Sequence, residues 1–480
     1  MAPARNRWLV LVAMTGSLSM IMLDQTVVTV ALPSMGRDLP LSPTGQQWVV
    51  NAYVLAMAAL VALGGKLGDK LGGVRTFRIG VAVFFLASML CGLAPHGSLG
   101  EPWIISARVL QGAGAALMVP VSAAIVIGAF DVRERGRAMA VYTGISQVFL
   151  AVGPLLGGVL TESISWRTVF WLNVPVGIAA LVMVHIARPD DSRQPGVRIA
   201  ARSVVLLVGG IGTTVLAIQQ ASVWSWGSPA TLLTLTAGLA LTAWFVVGQL
   251  RATSPLVDVR LFARRAFLGN LVVLGLIQFA LLAVILYSSI YLQELLHLSP
   301  ISAGLGVLPL IVAIAAAAQL GGRWYDRGGV RPPALTGLAV ATAGLAAWAA
   351  SLPQLEYALQ VPGMVLTGFG LGLIMSPTNT DALGRVTTAE RSQASGLVQT
   401  VRQLGGTLGV AIIGTVVLGL EHRGAQVPTP HESADAITVG FACAAATFAL
   451  ALVAGWFLLS RERLDTGAQE RSETLAAAAG

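Results

Sequence analysis

Charged residues are scarce in this sequence. Only 11% of its 480 residues are Asp, Glu, Lys or Arg, whereas 55% are hydrophobic, and the mean hydropathy is +0.77. Soluble domains carry about a quarter charged residues. The composition therefore argues against a soluble enzyme or binding domain and indicates an integral membrane protein.

The residues from which redox and metal sites are built are also few. The two cysteines, Cys91 and Cys443, both fall within apolar segments, which excludes a disulfide framework and a cysteine zinc site. Five scattered histidines show no metal-ligand spacing. No G-x-x-x-x-G-K-[ST] motif is present, so the chain is not its own ATPase. We expect no cofactor, no metal and no enzymatic activity, because no catalytic constellation lies at the loop ends.

Apolar runs long enough to cross a bilayer are abundant. About 20 apolar residues span the hydrocarbon core as a helix, and such windows predict an all-α fold with fourteen transmembrane helices. The first window is too long for a signal peptide and lacks a small-residue cleavage site, so we predict that it is retained as a span. The windows begin near Trp8, Trp48, Phe77, Trp103, Arg137, Thr168, Ser203, Ala230, Phe267, Ser302, Pro333, Tyr357, Ser395 and Ala436.

The basic residues favour one side of the fourteen spans. Of the 30 Lys and Arg residues, 25 fall on the side that carries both termini. Because basic loops stay in the cytoplasm, we predict that both termini are cytoplasmic. The net charge of +8 reports this topology, and we expect no nucleic-acid partner. Arginine outnumbers lysine 28 to 2, which is typical of a GC-rich bacterial genome, and we expect the protein to lie in a bacterial inner membrane.

Asp24 is set well inside a hydrophobic segment. It lies in the apolar run from about Trp8 to Pro33, and we interpret it as the only acid of the chain in such a position. A charge in hydrocarbon costs roughly 2.5–3.5 kcal/mol on insertion scales, so such a residue normally faces a partner or a water-filled path. Asp24 is therefore a candidate functional residue on physical grounds alone.

A charged segment occurs twice. Residues Gly65 to Arg75 read GKLGDKLGGVR and recur, one residue shorter, as GRWYDRGGVR from Gly322 to Arg331. Parallel repeats of six spans, with substrate bound between the halves, build one transporter architecture. The spacing predicts a 6+2+6 arrangement: six-helix halves at 1–187 and 267–460, a cytoplasmic linker plus two inserted helices at 188–266, and a tail at 461–480 that we expect to be disordered.

The repeated segment resembles the loop motif of the major facilitator superfamily, and the chain as a whole resembles its fourteen-span drug:proton antiporter branch. In that motif an acid and flanking bases form charge contacts that lock one conformation, which implies that Asp69 meets Arg133 or Arg137. The alternative is that these charges only stop the translocation of the chain during membrane insertion and so orient the protein. The residues that the resemblance assigns to this conformational gate are Gly65, Asp69, Lys70, Arg75, Arg133, Arg137, Asp326 and Arg327.

The segment RVLQGAG, from Arg108 to Gly114, resembles the family motif whose membrane-embedded arginine is tied to proton movement. A buried guanidinium must find carbonyls or a carboxylate. At 1.5 Å per residue, Asp24 and Arg108 differ by only about 5 Å in depth, so they could share one cavity. The resemblance implies that the two residues couple proton movement; the alternative is that Arg108 is a helix pin bonded to carbonyls.

A glycine-rich segment of the fifth span resembles the core of the antiporter motif, which in this superfamily marks exporters. In such a motif the proline kinks the helix, and the glycines let a neighbouring helix approach closely. Fuller versions carry two more glycines, where this chain has Ala140 and Phe149. Alone, such a pattern is more often packing than function. The residues of the motif are Gly153, Pro154, Gly157 and Gly158.

Two further segments resemble the same branch. Residues Leu23 to Pro33 match its first-span signature, in which the aspartate is functionally important, although Thr29 stands where members usually carry Asn. Arg402 and the following QLGG resemble its thirteenth span. A structural pin or a transport role both fit Arg402.

The sequence thus predicts a proton-coupled antiporter that exports a small amphipathic compound by alternating access, as a monomer in the lipid bilayer. Asp24 would load a proton outside and release it inside, which requires its distance from Arg108 or its hydration to change. The alternatives are that Asp24 binds a cationic substrate, that the protein moves a lipid, or that it imports. The side chains expected to line the cavity are Asn51, Tyr53, Gln147, Gln278, Phe279, Tyr287, Asn379 and Arg402.

Overall fold

The computed structural model describes residues 6–130, 134–189, 191, 200–252, 255–257, 259–386, 391–421 and 429–463, and its regular structure over these ranges is entirely helical. The helices are α1 (Arg7–Asp38), α2 (Pro43–Leu71), α3 (Gly73–Gly92), α4 (Gly100–Ala129), α5 (Arg135–Ser163), α6 (Arg167–Trp171), α7 (Asn173–Ala187), α8 (Ala201–Trp224), α9 (Pro229–Arg251), α10 (Arg265–Ile290), α11 (Pro300–Gly306), α12 (Leu308–Gly328), α13 (Arg331–Ser351), α14 (Tyr357–Gly384), α15 (Arg391–Glu421) and α16 (Pro430–Leu458).

Within the described ranges, 13 helical segments are long and apolar enough to cross a membrane. The predicted all-α membrane fold is therefore confirmed. Two of the spans are built from consecutive helices, α6 with α7 and α11 with α12. The predicted fifth span corresponds to α5, a 29-residue helix that is not one of the 13, so the exact number fourteen stays a prediction.

Four helices that begin at the same end of the bundle share one local signal. Each starts with Ser or Thr followed by Pro, and the hydroxyl accepts a backbone N–H of the first turn, as between Ser42 and Gly45 N at 2.8 Å. The proline follows because the first helical position has no internal partner for its N–H. The capping residues are Ser42, Ser228, Ser299 and Thr429.

The helices pack as two bundles, α1–α7 and α10–α16. Corresponding helix pairs approach backbone to backbone through glycine. A Cβ on Gly64 of α2 would lie 2.1 Å from the Ala116 carbonyl oxygen of α4, and a Cβ on Gly372 of α14 would lie 2.3 Å from that of Ile314 on α12. Small residues permit this approach in membranes, where packing replaces the hydrophobic driving force between helices.

Helices α8 and α9 form a separate pair. A Cβ on Gly210 of α8 would meet Thr242 Oγ1 of α9 at 2.6 Å, so the two helices are in close contact. The pair lies beside α2 and α15, with α8 facing the bundles, and exposed Leu233 and Trp244 lie on α9. An apolar helix of this kind faces lipid. The boundaries 1–187, 188–266, 267–460 and 461–480 stay a prediction.

The two bundles are joined at the end where α1 terminates. There Gln47 donates to Tyr287 Oη at 3.2 Å, Gln293 donates to the Val30 carbonyl at 2.8 Å, and Ile301 N donates to a Glu162 carboxylate oxygen at 3.0 Å. Nearer the middle of the bundles, Gln403 of α15 donates to Met57 Sδ of α2 at 3.6 Å. These links lie in the half of the molecule opposite the end where α1 begins, or near its middle, and the arginine distribution predicts that the end where α1 begins is cytoplasmic.

Candidate functional site

Helices α1 and α4 bring Asp24 and Arg108 into direct contact. Arg108 Nη1 donates to Asp24 Oδ2 at 2.5 Å, and the side chains are 0% and 1% exposed. At this burial an ion pair is held in a low dielectric, and removal of either partner leaves an uncompensated charge. The pair is packed inside the first bundle in this conformation and does not line an open cavity.

Arg108 is bound on all sides. Its Nε donates to the Val49 carbonyl of α2 at 2.8 Å, and Nη1 also donates to Gln111 Oε1 at 2.7 Å. The guanidinium carbon lies 4.3 Å from the centre of the Tyr53 ring and 5.9 Å from that of Phe170. A desolvated cation is attracted to ring faces at such distances. Arg108 thus bonds a carbonyl, as a helix pin does, and a carboxylate as well.

The second oxygen of Asp24 is held by two amides. Gln111 Nε2 donates to Asp24 Oδ1 at 2.8 Å, and Asn173 Nδ2 donates to the same oxygen at 3.4 Å. Both amides also reach Ser88 Oγ, at 3.2 and 2.9 Å, while Ser88 donates to the Phe170 carbonyl at 2.9 Å. Every described partner of this carboxylate donates a hydrogen bond to it.

Sequence reasoning missed Ser88 and gave no role to Gln111. Gln111 lies three positions after Arg108, a spacing that places two residues on one helix face, so this signal was available. Asn173 lies at the start of α7. Ser88 gave no signal, because single serines are common in apolar helices.

The predicted gate residues lie at the end of the bundle where α1 begins. Asp69 and Lys70 are in the last turn of α2, and Arg75 is in the first turn of α3. Arg133 lies outside the described residues, and the side chain of Arg137 on α5 is not among those described. The contact between Asp69 and either arginine therefore stays a prediction.

The two copies of the loop share a turn geometry. Asp69 precedes Gly72, and Asp326 precedes Gly329, by three residues each, and both glycines have positive φ, 100° and 74°. Left-handed backbone of this kind favours glycine, which has no Cβ. Gly65 is half-buried on α2, whereas Asp326 and Arg327 are exposed at the end of α12.

Asp24 is not the only buried acid among the described residues. Asp381 on α14 is 1% exposed and accepts from Arg385 Nε at 2.6 Å and from Asn270 Nδ2 of α10 at 2.7 Å. It lies in the last turn of α14, four residues before its arginine partner, so in the sequence the two charges resemble an ordinary loop boundary. This pair lies in the second bundle, far along the chain from Asp24.

The glycines of the fifth-span motif let α5 touch both bundles. A Cβ on Gly153 would lie 1.9 Å from Thr26 Oγ1 of α1, and one on Gly157 would lie 2.8 Å from the Val27 carbonyl oxygen. A Cβ on Gly158 would lie 2.4 Å from the Pro300 carbonyl oxygen of α11. Gly304 of α11 faces the Pro154 carbonyl in return, at 2.2 Å from its Cβ position.

The residues expected to line one cavity occupy several places. Tyr53 is part of the Arg108 environment, Tyr287 bonds Gln47 where the bundles meet, and Asn51 is fully buried. Gln278 is buried on α10, and Phe279, Asn379 and Arg402 are half-buried. The side chain of Gln147 on α5 is not among those described.

Comparison with known proteins gives a family match. The family model described as Major Facilitator Superfamily matches residues 14–410. The chain is 34% identical to the puromycin resistance protein pur8 of Streptomyces alboniger, over 95% of this chain and 92% of the relative. It is 36% identical to the cephamycin export protein CmcT of Amycolatopsis lactamdurans, over 83% and 82%, and 32% identical to the tetracenomycin C resistance and export protein of Streptomyces glaucescens, over 85% and 76%.

Solved structures share the fold. A bacterial homologue of the human lysosomal transporter Spinster, inward-facing and unoccupied, superposes with a TM-score of 0.67 at 18% identity, over 96% of this chain and 99% of that one. A D-xylose–proton symporter superposes with a TM-score of 0.64 at 15% identity, over 94% and 97%.

Proposed function

Since the chain belongs to the major facilitator superfamily, we propose that it exports a small amphipathic compound of the drug or antibiotic class in exchange for protons. The export part is supported by relatives of 32–36% identity whose names state resistance or export. The coupling part rests on one observation, the fully buried pair of Asp24 and Arg108.

The pair supplies a proton site that depends on conformation. With Arg108, Gln111 and Asn173 all donating to it, Asp24 is stabilised as a carboxylate. It takes up a proton when Arg108 moves away, or when a change in hydration makes the site less favourable for a negative charge. We propose that rocking of the bundles is accompanied by a displacement of α4 relative to α1 within the first bundle. This displacement lengthens the bond between the two side chains and links proton uptake to the opening of the other side.

The links between the bundles support a direction of loading. They include the bonds of Gln47 with Tyr287 and of Gln293 with Val30 near the end where α1 terminates, and we propose that the space between the bundles opens at the end where α1 begins. We propose that this end is cytoplasmic, that the protein lies in the bacterial inner membrane, and that a monomer in the lipid bilayer loads its substrate from the cytoplasm or the inner leaflet.

Inward proton movement supplies the driving force. Each pH unit provides about 1.4 kcal/mol, and each 100 mV of membrane potential about 2.3 kcal/mol per charge moved. One proton exchanged under a gradient of one pH unit therefore supports about a tenfold ratio between the concentrations of a neutral substrate on the two sides of the membrane.

Inverted membrane vesicles test the direction of transport. In these vesicles respiration acidifies the lumen, so an exporter that exchanges substrate for protons accumulates an antibiotic inside them. The compound is first chosen by comparing growth with and without the gene on a panel of antibiotics and dyes. Accumulation that persists after the gradient is collapsed contradicts proton coupling, and depletion of a preloaded compound contradicts export.

A further inference from the structure

Arg402 lies near the middle of α15, and its guanidinium is not paired with any of the described residues. Among the described residues, it forms neither a hydrogen bond nor an ion pair. The buried arginine of the first bundle, Arg108, is by contrast bonded to a carboxylate, a carbonyl and an amide. A guanidinium at membrane depth that lacks a counter-charge costs free energy. An anionic partner would therefore stabilise Arg402.

The buried acids of the described chain are not available to it. Asp24 is bonded to Arg108 within the first bundle, and Asp381 is bonded to Arg385 and Asn270. Both carboxylates are at most 1% exposed. An anion that meets Arg402 therefore comes from outside the described protein.

The helix position of Arg402 directs it between the bundles. On one side of it, Gly405 packs against α10, where its Cβ would lie 2.2 Å from the Gly275 carbonyl oxygen. On the other side, Gln403 donates to Met57 Sδ of α2 at 3.6 Å. At about 100° per residue, Arg402 occupies the face between these two contacts, toward the space that separates α2 from α10.

Exposure along this face changes in one direction. Ser395 is exposed, Gln399 and Arg402 are half-buried, and Gly406 is buried. These residues share one side of α15 because they are spaced by about three and four positions. Exposure along this face thus decreases from the beginning of α15 toward its middle, so a molecule reaches Arg402 from the end where α15 begins.

A second polar group lies beside this face of α15. Gln278 of α10 is 8% exposed, and its Oε1 accepts no hydrogen bond from the part of the chain that the structure describes. Its Cγ lies 3.5 Å from the position of a Cβ on Gly406, one helical turn from Arg402. A buried amide oxygen without a donor costs about as much as a lost hydrogen bond, so this amide also lacks a ligand group.

We propose that Arg402 and Gln278 form the binding site for an anionic group of the transported molecule, specifically a carboxylate on an amphipathic body. The guanidinium matches a carboxylate with two parallel N–H groups, while Gln278 accepts a neighbouring O–H or N–H of the same molecule. This inference rests on the proposed export function and restricts it to substrates that carry a carboxylate.

The test compares pyrenebutyrate with its uncharged methyl ester on the purified full chain in a neutral detergent. Binding is followed by energy transfer from tryptophan to pyrene. We expect the acid to bind the wild type at least about tenfold more tightly than it binds Arg402→Gln, a factor equivalent to about 1.4 kcal/mol. The ester should bind both proteins equally, and this also verifies that the variant is folded.

Two more variants keep the test decisive. Gln278→Glu places a carboxylate beside Arg402 that repels the acid, so it should weaken the binding of pyrenebutyrate but not of its ester. The double variant Arg402→Gln/Gln278→Lys moves the positive charge to α10 and should restore part of the pyrenebutyrate binding. Arg461→Gln removes an exposed arginine and serves as the matched control.

Several outcomes overturn the proposal. The first three are equal binding of acid and ester to the wild type, no binding of either, and an unchanged acid affinity in Arg402→Gln. The fourth is displacement of pyrenebutyrate by phosphatidylglycerol but not by phosphatidylcholine, which assigns the site to an anionic lipid phosphate. Because binding is measured without a gradient, this failure is separate from a failure of export. Efflux of neutral compounds only, in vesicles, contradicts the carboxylate and leaves the export proposal intact.

Discussion

Asp24 and Arg108 lie 84 positions apart in the chain, yet a hydrogen bond of 2.5 Å joins their side chains. The pair ties α1 to α4, and Gln111, Asn173 and Ser88 extend it to α3 and α7. Every atom of this network belongs to the first bundle. A conformational change that moves these helices relative to one another therefore acts directly on the carboxylate.

Truncation of Arg108 should destabilise the protein strongly. In Arg108→Ala the Asp24 carboxylate stays buried without a counter-charge, and breaking such a pair costs about 3–5 kcal/mol. We expect this loss in the free energy of unfolding, measured by denaturant titration of the purified protein in mixed micelles.

The double variant Asp24→Asn/Arg108→Gln provides the comparison for this prediction. It replaces both charges with neutral amides and should recover most of the stability, because no unpaired charge remains. The exposed Arg461→Ala should have little effect. A loss below about 1 kcal/mol in Arg108→Ala, or a double variant no more stable than the single one, contradicts the account.

Ser88→Ala should weaken the site without removing any charge. The hydroxyl accepts from the amides of Gln111 and Asn173, and a buried donor left without its acceptor costs about 1–3 kcal/mol. We expect a stability loss of that size together with slower gradient-driven transport, measured in proteoliposomes.

Ser17→Ala is the matched control. Ser17 is as deeply buried, but its described hydrogen bond, 2.8 Å long, runs to the Ala13 carbonyl of its own helix. Its removal should cost less than about 1 kcal/mol. Equal effects of the two substitutions would mean that Ser88 has no special role in the network.

The sequence identified the charges better than the neutral polar groups. Asp24 and Arg108 stand out because a charge is rare in an apolar run. Ser88 does not, since neutral polar side chains occur throughout the spans, and their role depends on the rotation of each helix about its axis. Asn51 shows the same limit, because it was expected in a cavity and is fully buried.

Paired charges at helix ends were also hard to interpret. Asp381 lies in the last turn of α14, beside a basic residue at the predicted loop boundary, so its burial follows only from the packing of α10 against α14. The helices themselves were predictable, because runs of about 20 apolar residues leave few other structures possible in a bilayer.

Gly158→Ala should open the contact between the bundles. The new Cβ would lie 2.4 Å from the Pro300 carbonyl oxygen, so α5 and α11 must move apart. We expect disulfide formation between cysteines placed at Gln47 and Tyr287 to fall about fivefold, equivalent to a shift of about 1 kcal/mol in the conformational equilibrium.

Gly144→Ala on the same helix is the control, since no atom lies within 4 Å of its Cβ position. The experiment uses a background in which Cys91 and Cys443 are replaced by Ser. Unchanged cross-linking in Gly158→Ala, or an equal decrease in both variants, contradicts a role of Gly158 in holding this end closed.

The most direct measurement is pH-gradient-driven efflux by Asp24→Asn in proteoliposomes, beside the wild type and the exposed-residue control Asp435→Asn. In the wild type, each pH unit should support about a tenfold substrate concentration ratio per proton exchanged. We expect Asp24→Asn to lose this response to the gradient, while it still exchanges substrate between equal concentrations. If cationic compounds alone are lost and neutral compounds are still driven by the gradient, Asp24 binds the substrate's charge instead. Full gradient-driven efflux of every compound in Asp24→Asn contradicts the central claim that this carboxylate carries the proton.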